Sequence, residues 1–334
     1  MIEQSLVFGD RNIDVSLPDR TRLVGGERGG PRLEPVADQE AAVRAALAEP
    51  LGLPRVGQLV RPGARVLIAF DDPTAPSFGP IRRLAIEAIL EELAEAGVPE
   101  ENVSLVCANG LHRRWTHQEL ASILGQELVQ RLGSRLTCHD AEDPENLTYM
   151  GTTAGGYDVE VHRLVTESDL TVYINAACYL GFNGGWKSVC VGLSTWRSIR
   201  WTHTPDGMTM SVRGNRMHAV FDEMGRHLES NLGRRVFKVE TLLANPAIIG
   251  RVFAGGVDET RAAAVEVQAS LYQPRRAAAE PADVVIYGLP AWSPYATFAR
   301  MNPILTLISS GLGYLGGYIE ALGKPGCSVI MATG

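Results

Sequence analysis

Residues 65–113 read RVLIAFDDPTAPSFGPIRRLAIEAILEELAEAGVPEENVSLVCANGLHR and contain one strand–helix–strand unit. Val66–Phe70 and Val103–Cys107 are apolar runs of strand length. Gly97 is expected to end the helix between them. Apolar residues at positions i, i+3, i+4 and i+7 predict that one face of this helix is apolar: Ile86, Ile89, Leu90 and Leu93. Strands joined through a helix in this way predict parallel pairing.

The same alternation continues along the chain, whereas residues 1–60 read mostly as loop. Further strands are expected at Leu136–Cys138, Leu170–Ile174, Val284–Tyr287 and Ser328–Met331. Further helices are expected at Asp38–Ala48, from the capping-box pattern of Thr116 and Glu119 onward, at Asp258–Tyr272 and at Ile304–Leu322. The pattern predicts an α/β protein, with a parallel-sheet N-terminal domain and a smaller α/β C-terminal domain.

A proline- and charge-rich segment separates the two predicted domains. We predict an N-terminal cofactor and catalytic domain at residues 1–272, a linker at 273–282 and a C-terminal domain at 283–334. About 60 residues is small for an independent core. We therefore expect the second domain to lean on the first or on a partner subunit of a homo-oligomer, unless the natural chain continues past Gly334.

Composition argues against several classes of partner. The net charge is -7 and no basic block with interleaved aromatic residues occurs, so we expect no nucleic acid partner. No apolar run reaches the roughly 20 residues that span a bilayer, and the first 20 residues are charged from the start. The five cysteines are odd in number and form no CxxC pair, which is typical of free thiols in a reducing compartment. We expect a cytoplasmic protein without a membrane partner.

Polar residues follow three of the predicted strands. Asp72, Gly110-Leu111-His112 and Asn175 each come directly after an apolar run. The carboxyl ends of strands in an open parallel sheet form the ligand crevice. Each group on its own is also typical of a turn or of a structural histidine. Their shared position after the strands predicts that the three groups belong to one site.

Residues 181–188 read GFNGGWKS and combine a glycine turn with a lysine. A phosphate loop would need glycine directly before the lysine, but Trp186 stands there, so nucleotide triphosphate hydrolysis is disfavoured. Gly184 and Gly185 would let the backbone approach a ligand closely. Lys187 is then a candidate charge or nucleophilic amine, and the alternative is a solvated lysine on a surface turn.

His203 lies in a tryptophan-rich stretch, where an imidazole suits a borderline metal such as nickel. No second histidine stands at metal-ligand spacing, so a metal here would need a cofactor to supply its other ligands. We interpret the remaining histidines as structural or surface residues: His117, His139, His162, His218 and His227.

From about Arg65 onward, the sequence resembles the lactate racemase family, whose members depend on a nickel-pincer nucleotide. Several separated motifs carry the resemblance in the correct order: Asp72-Pro73-Thr74-Ala75-Pro76, Gly110-Leu111-His112-Arg113, Gly184-Gly185-Trp186-Lys187, His203, Arg251–Gly256 and Lys324-Pro325-Gly326.

The resemblance implies a role for each matching residue. Lys187 would link covalently to a pyridinium mononucleotide through a thioamide, and His203 would complete the nickel site formed by the carbon and sulfur atoms of that cofactor. Asp72 and Thr74 would contact the nucleotide beside Gly184 and Gly185. His112 would remove the proton of a 2-hydroxy acid while hydride moves to the cofactor.

The sequence departs from the family pattern on the substrate side. Ala75 replaces the substrate-binding arginine, and Ala177 replaces the second histidine base. Phe298–Asn302 lacks the glutamine and lysine of the second domain. Substitutes suggested by proximity are Arg82, Arg83 or Arg300 for the arginine and Cys178 or Tyr179 for the base.

Three functional hypotheses follow. The first is a racemase or epimerase of a 2-hydroxy acid unlike lactate, loaded by cofactor-biosynthesis proteins. The second is a divergent homologue that binds a nucleotide or small acid without nickel chemistry. The third is a dehydrogenase-like use of the same cofactor with a single base.

Overall fold

The computed structural model describes residues 1–9, 11–23, 33–74, 77, 79–177, 181–204, 207, 211–245, 247–271, 280–290 and 322–332. The strands are β1 (Ile2–Gly9), β2 (Arg11–Leu17), β3 (Val66–Asp71), β4 (Val103–Ala108), β5 (Leu136–Cys138), β6 (Leu147–Thr152), β7 (Asp158–His162), β8 (Leu170–Ala177), β9 (Phe237–Asn245), β10 (Ile248–Gly256), β11 (Ala282–Pro290) and β12 (Gly323–Ala332). The helices are α1 (Gln39–Ala48), α2 (Ile81–Glu95), α3 (His117–Leu124), α4 (Gln126–Leu132), α5 (Arg163–Glu167), α6 (Lys187–Gly192), α7 (Trp196–Ile199), α8 (Arg216–Leu232) and α9 (Val257–Leu271).

Arg32–Tyr272 forms a compact unit around a six-stranded sheet in the order β10-β9-β8-β3-β4-β5. Neighbouring strands are parallel from β9 to β5, and β10 is antiparallel to β9 at the edge. Every residue of β8 is buried, as expected for a strand covered on both faces. The predicted α/β class with a parallel sheet is confirmed.

The strand order reverses direction at β3. The chain proceeds from β3 to β4 and β5 on one side, whereas β8 and β9 lie on the other side. A crevice forms at such a switch point, at the carboxyl ends of the strands. The segments after β3 and β8 therefore border the same crevice.

Helix α2 packs its predicted face into the core of this sheet. Its four predicted apolar residues are each 5% exposed or less. The helix ends at Glu95, and Gly97 follows with a φ of 77°. The prediction from the i, i+3, i+4, i+7 spacing is confirmed.

Residues of Met1–Pro31 and Gln273–Gly334 form a second unit with its own four-stranded sheet, in the order β12-β11-β1-β2. Strand β1 pairs antiparallel with β2 and parallel with β11, which in turn pairs parallel with β12. Residues 1–31, predicted as part of the first domain, group with the end of the chain in the structure. Contacts between β1 and β11 join segments far apart in sequence, and local periodicity does not report them.

Some predicted elements differ from the structure or fall outside it. Strands β1, β2, β6, β7, β9 and β10 were not predicted. Strands β1, β2 and β6 are partly exposed and carry a weak apolar signal, whereas the mostly buried β9 is interrupted by polar residues such as Lys238 and Glu240. The predicted helix at Ile304–Leu322 lies, up to residue 321, outside the described residues. Within the described part of the chain, no helix is long and apolar enough to cross a membrane.

Candidate active site

The carboxylate of Asp71 joins the ends of two neighbouring strands. It accepts hydrogen bonds from Asn175 Nδ2 at 2.6 Å, from the Ala176 amide at 2.9 Å and from the Tyr173 hydroxyl at 3.0 Å. Burial and the charge of Asp71 raise the pKa of Tyr173 well above its ordinary value, so the phenol remains a donor. Asn175 thus uses its amide nitrogen to hold β3 against β8.

Asp72, Thr74 and His112 come together at the ends of β3 and β4. His112 Nδ1 lies 2.9 Å from Asp72 Oδ2 and 3.3 Å from Thr74 Oγ1. The Thr74 hydroxyl donates to Asp72 Oδ1 at 2.5 Å, and the Trp115 indole donates to Asp72 Oδ2 at 3.3 Å. Asp72 is almost completely buried, whereas 32% of the His112 side chain is exposed. The imidazole is therefore anchored through Nδ1, while part of the ring is exposed to solvent.

The surroundings of Asp72 favour its ionised form. Burial acts to raise the pKa of this carboxyl, but His112, Thr74 and the Arg82 guanidinium outweigh burial and lower the pKa. A carboxylate bound to Nδ1 fixes the tautomer of an imidazole and leaves Nε2 as its basic atom. The nucleotide contact of Asp72 and Thr74 stays a prediction, and in the structure both residues contact His112.

Arg82 is fully buried and shapes the segment after β3. Its guanidinium donates to the carbonyl oxygens of Asp71 at 2.8 Å, Ser77 at 2.8 Å and Asp72 at 3.1 Å. These contacts fix the loop that carries Asp72, and so Arg82 does not stand free to hold a substrate. Arg83 forms an ion pair with Glu87 at 2.9 Å.

The glycine turn after β8 requires its two glycines. Gly184 and Gly185 are buried and have φ values of 95° and 54°. A Cβ atom on Gly184 would collide with the carboxylate of Glu240, and one on Gly185 would come within 3.1 Å of Arg261. The turn thus packs its backbone directly onto buried charged side chains.

The turn rests on three charged residues that were not among the predicted site residues. Glu240 Oε2 accepts from the Gly185 amide at 2.8 Å, and Arg261 donates to the Asn183 carbonyl at 2.7 Å. Lys238 donates to the Gly185 carbonyl at 3.2 Å, and both Lys238 and Glu240 are completely buried. Lysine and glutamate at alternate positions of a largely apolar strand were the available signal, since such charges are rarely buried without partners.

Lys187 begins α6 directly after this turn and is partly buried. Its ammonium nitrogen lies 4.1 Å from the centre of the Phe182 ring. Burial is the main cause that lowers the pKa of Lys187 to about 8, and nearby Lys238 and Arg261 lower it further. Asp71 and Asp72 act in the opposite direction. A pKa of about 8 leaves about a tenth of the amine uncharged at pH 7, and this fraction can act as a nucleophile.

His203 interacts electrostatically with the same lysine. Its Nδ1 lies 3.2 Å from the Ile199 carbonyl oxygen and 3.2 Å from the Thr202 hydroxyl. With Nδ1 donating to that carbonyl, Nε2 is the atom available to a metal, the arrangement common in metal-binding histidines. His203 is exposed, yet desolvation by the surrounding protein and the charge of Lys187 lower its pKa to about 4, so the ring is neutral at pH 7.

Electrostatic interactions place the predicted residues in one neighbourhood. The charge of Lys187 lowers the pKa of His203, and the charge of Asp72 raises the pKa of Lys187. The charge of His112 lowers the pKa of both Asp72 and His203. Ala177 instead packs with Leu242 and Ala264 in a small apolar cluster. The other substrate-side positions of the prediction lie outside the described residues: Ala75, Cys178, Tyr179, Arg300 and the 298–302 segment.

Several of the remaining histidines bind backbone carbonyls. His117, His139 and His227 each contact one at 2.9–3.0 Å, which agrees with a structural role. Within the described ranges, no group of three or more His, Cys, Asp or Glu side chains could hold a metal ion. A metal at His203 would accordingly take its further ligands from elsewhere.

An Asp–His pair and a glycine turn that carries a lysine lie at the switch point of this parallel α/β sheet. Open α/β sheets typically bind small molecules at this position. Residues 8–214 match the family described as the lactate racemase N-terminal domain, which covers more than half of the chain. The chain therefore belongs to the lactate racemase family.

Individual relatives agree with this assignment. The lactate racemase of Thermoanaerobacterium thermosaccharolyticum is 26% identical over 298 residues, which cover 86% of this chain and 66% of that protein. The lactate racemase of Lactiplantibacillus plantarum is 26% identical over 185 residues, which cover 54% of this chain and 42% of that protein. The chain thus spans less than two thirds of the length of these two relatives.

Solved structures share the fold. The lactate racemase apoprotein of T. thermosaccharolyticum superposes with a TM-score of 0.65 at 24% identity, covering 86% of this chain and 66% of that chain. A crystal structure of a Thermotoga maritima protein gives a TM-score of 0.54 at 20% identity, covering 77% of this chain and 64% of that chain.

Proposed function

We propose that this protein is a racemase or epimerase of a 2-hydroxy acid that works with a nickel-pincer nucleotide bound covalently at Lys187. The observation that carries the proposal is the Asp72–His112 pair, 2.9 Å apart, in the same electrostatic neighbourhood as Lys187 and His203. Family membership and the relatives named lactate racemase support it.

The residues present suit this cofactor. Lys187 offers an amine with a lowered pKa, and His203 offers one neutral imidazole nitrogen. A cofactor that brings three metal ligands would need a single histidine from the protein. When bound, it would supply the hydride acceptor for the substrate carbon.

His112 performs the proton chemistry in this proposal. Its Nδ1 proton is held by Asp72, and Nε2 accepts the proton of the substrate hydroxyl as the C–H bond of the same carbon is broken. The imidazolium formed in this step is stabilised by the ionised Asp72. Return of the proton from Nε2 restores the hydroxyl group.

A one-base reaction is the second candidate. Ala177 stands where the family places its second base, and it packs in an apolar cluster with Leu242 and Ala264. A single base would suit the oxidation of one enantiomer by the cofactor. A protein that binds a small acid without turnover would need no second base either.

A panel of enantiopure 2-hydroxy acids separates these functions. The chain is expressed together with the cofactor-biosynthesis proteins of the family, and optical rotation is followed for each acid. Decay to zero rotation without formation of a 2-oxo acid supports racemisation. Formation of up to one equivalent of the 2-oxo acid per bound cofactor, from one enantiomer only, supports the one-base reaction. A cofactor-loaded protein that changes none of the acids would contradict both enzymatic functions.

A further inference from the structure

Cys107 and Cys138 are neighbours on two adjacent parallel strands. Their Cα atoms are partners in the register of β4 and β5, so both side chains point to the same face of the sheet. Adjacent strands lie about 4.8 Å apart, which is within the Cα separation of about 4.4–6.8 Å that a disulfide spans. Both thiols are free, and Cys138 packs against the apolar core that contains Cys107. The strands therefore hold a reduced pair of thiols that can be linked.

The two thiols differ in their access to small molecules. Cys107 is completely buried, whereas Cys138 is half-buried and lines a cavity of about 560 Å³. Charged and polar side chains line this cavity as well, among them Arg114, His117 and Asp140. A small polar molecule can thus reach the Cys138 sulfur, while the surrounding core shields the Cys107 sulfur from it.

The surroundings of Cys138 favour its thiolate. A hydrogen bond from the Cys107 thiol is the main cause that lowers the pKa of Cys138. The Trp115 amide, which donates to the Cys138 sulfur at 3.3 Å, and the charge of Arg114 lower this pKa further, whereas burial and Asp72 oppose them. Burial raises the pKa of Cys107 well above its ordinary value, so this thiol keeps its proton. Cys138 is therefore the more nucleophilic sulfur of the pair.

Trp115 connects Cys138 to the candidate active site. As a thiol, Cys138 donates to the Trp115 carbonyl oxygen at 3.4 Å, and its sulfur accepts from the amide of the same residue. The Trp115 indole in turn donates to Asp72, the carboxylate that holds His112. A chemical change at the Cys138 sulfur therefore alters the contacts of the segment 109–116, which carries both His112 and Trp115.

We propose that Cys138 and Cys107 form a redox modification site for small hydroperoxides, in which Cys138 reacts first and the resulting disulfide loosens the segment 109–116. The Cys138 thiolate attacks one oxygen of hydrogen peroxide, the O–O bond breaks, and the leaving hydroxide takes up a proton to become water. The Cys107 sulfur then attacks the sulfenic acid formed at Cys138. Its thiol proton passes to the leaving hydroxide, and a second water forms. The two sulfur atoms together lose the two electrons that the peroxide gains.

The disulfide would weaken both contacts between Cys138 and Trp115. The thiol proton donated to the Trp115 carbonyl is lost, and a neutral disulfide sulfur accepts from the amide less strongly than a thiolate does. We therefore expect faster hydrogen exchange in the segment 109–116 of the oxidised chain. An effect of oxidation on racemisation rests on the proposed function, whereas disulfide formation does not.

Peroxide treatment of the cofactor-free full chain, followed by peptide mass spectrometry, tests the first part of the proposal. One equivalent of hydrogen peroxide at pH 7 should link Cys107 to Cys138 in most chains, and dithiothreitol should reverse the link. Partly exposed Cys327 is the internal reference and should react about tenfold more slowly than Cys138. Buried Cys190 should stay reduced.

Two substitutions separate the roles of the thiols. Cys107→Ala should leave Cys138 as a sulfenic acid that dimedone traps, and Cys138→Ala should leave Cys107 reduced because peroxide does not reach it. Cys327→Ala is the matched control and should form the disulfide at the wild-type rate. If Cys107→Ala does not fold, as judged by circular dichroism, dimedone added early in the wild-type reaction should label Cys138 and not Cys107.

Hydrogen exchange of the reduced and oxidised chains measures the effect on the segment 109–116. Loss of one hydrogen bond corresponds to a rise in exchange of about three- to tenfold, and we expect a rise of this size in the peptide that contains Trp115. Helix α2 serves as the reference and should exchange at the same rate in both forms.

A wild-type Cys138 that stays reduced, or that is oxidised without a bond to Cys107, would overturn the proposal. So would oxidation of Cys327 at the same rate as Cys138, or a disulfide that leaves exchange of the segment 109–116 unchanged. None of these results depends on nickel or on a substrate. Failure of the racemisation assay alone would instead contradict the proposed function and leave the redox site intact.

Discussion

Nδ1 of His112 lies 2.9 Å from the carboxylate of Asp72, and this contact joins the end of β4 to the end of β3. The carboxylate is buried and held by Thr74 and Trp115, while the imidazole is partly open. The pair therefore has the arrangement of a general base with a fixed tautomer.

Asp72→Asn should lower the turnover of the loaded enzyme about 10²-fold, because the amide cannot fix the His112 tautomer or stabilise the imidazolium. His112→Gln should lower it at least as much. Optical rotation measures both effects. Asp140→Asn is the matched control, since Asp140 pairs with Arg114 at 3.2 Å outside the site and should leave turnover unchanged. Equal activity of Asp72→Asn and wild type would argue against the pair.

Gly184→Ala should destabilise the fold by about 2–4 kcal/mol, measured by chemical denaturation. The backbone φ of 95° disfavours a side chain, and the new methyl group would press on the carboxylate of Glu240. Gly233→Ala serves as the control. It has a φ of 64° but open space around it, and should cost only about 1 kcal/mol. Similar costs for the two variants would show that the turn is not packed as described.

Ala177→His should lower stability by about 1–3 kcal/mol and should not increase racemisation. The position is packed against Leu242 and Ala264, so an imidazole there would overfill an apolar cluster. Chemical denaturation and optical rotation of the variant check the two parts, with Ala177→Ser as the small polar control. A stable Ala177→His protein with faster racemisation would show that the second base was simply missing.

Stability should fall as the pH drops from about 6.5 to about 4, partly through His162. Burial, together with His139, lowers the pKa of this histidine to about 4 in the folded state. A lowered histidine pKa contributes stability that is present above the unfolded-state value and is lost as the pH falls through the folded-state value. The neutral ring accepts from the Leu164 amide at 3.2 Å at the start of α5.

Urea denaturation at pH 7 and pH 5 measures this effect. We expect His162 alone to contribute a loss of about 1–2 kcal/mol to the wild type between these pH values. His162→Asn keeps an acceptor for the Leu164 amide but has no titrating ring, so its stability should depend less on pH. An identical dependence in both proteins would assign acid sensitivity to other groups.

The sequence predicted the parallel core well, because buried strands and the apolar face of α2 carry strong periodic signals. Strand β3 was predicted at Val66–Phe70 and spans Val66–Asp71, and β4 was predicted at Val103–Cys107 and spans Val103–Ala108. The pairing of β1 with β11 could not be predicted in this way, because it joins distant segments through the backbone.

The candidate site was predicted as a set of positions and not as a set of contacts. The contacts of Asp72 with His112 depend on how two loops meet above the sheet, which spacing does not specify. Lys238 and Glu240 were overlooked because strand patterns count them as polar residues, although both are buried beneath the glycine turn. Arg82, suggested for a substrate acid, is engaged with three backbone carbonyls instead.

Intact mass and nickel content of the chain, after expression with the cofactor-biosynthesis proteins, test the central claim most directly. We predict one covalent nucleotide adduct and about one nickel per chain, both lost in Lys187→Ala and both kept in Lys324→Ala. His203→Ala should keep the adduct and lose most of the nickel. A wild-type protein without adduct and without nickel would contradict the account.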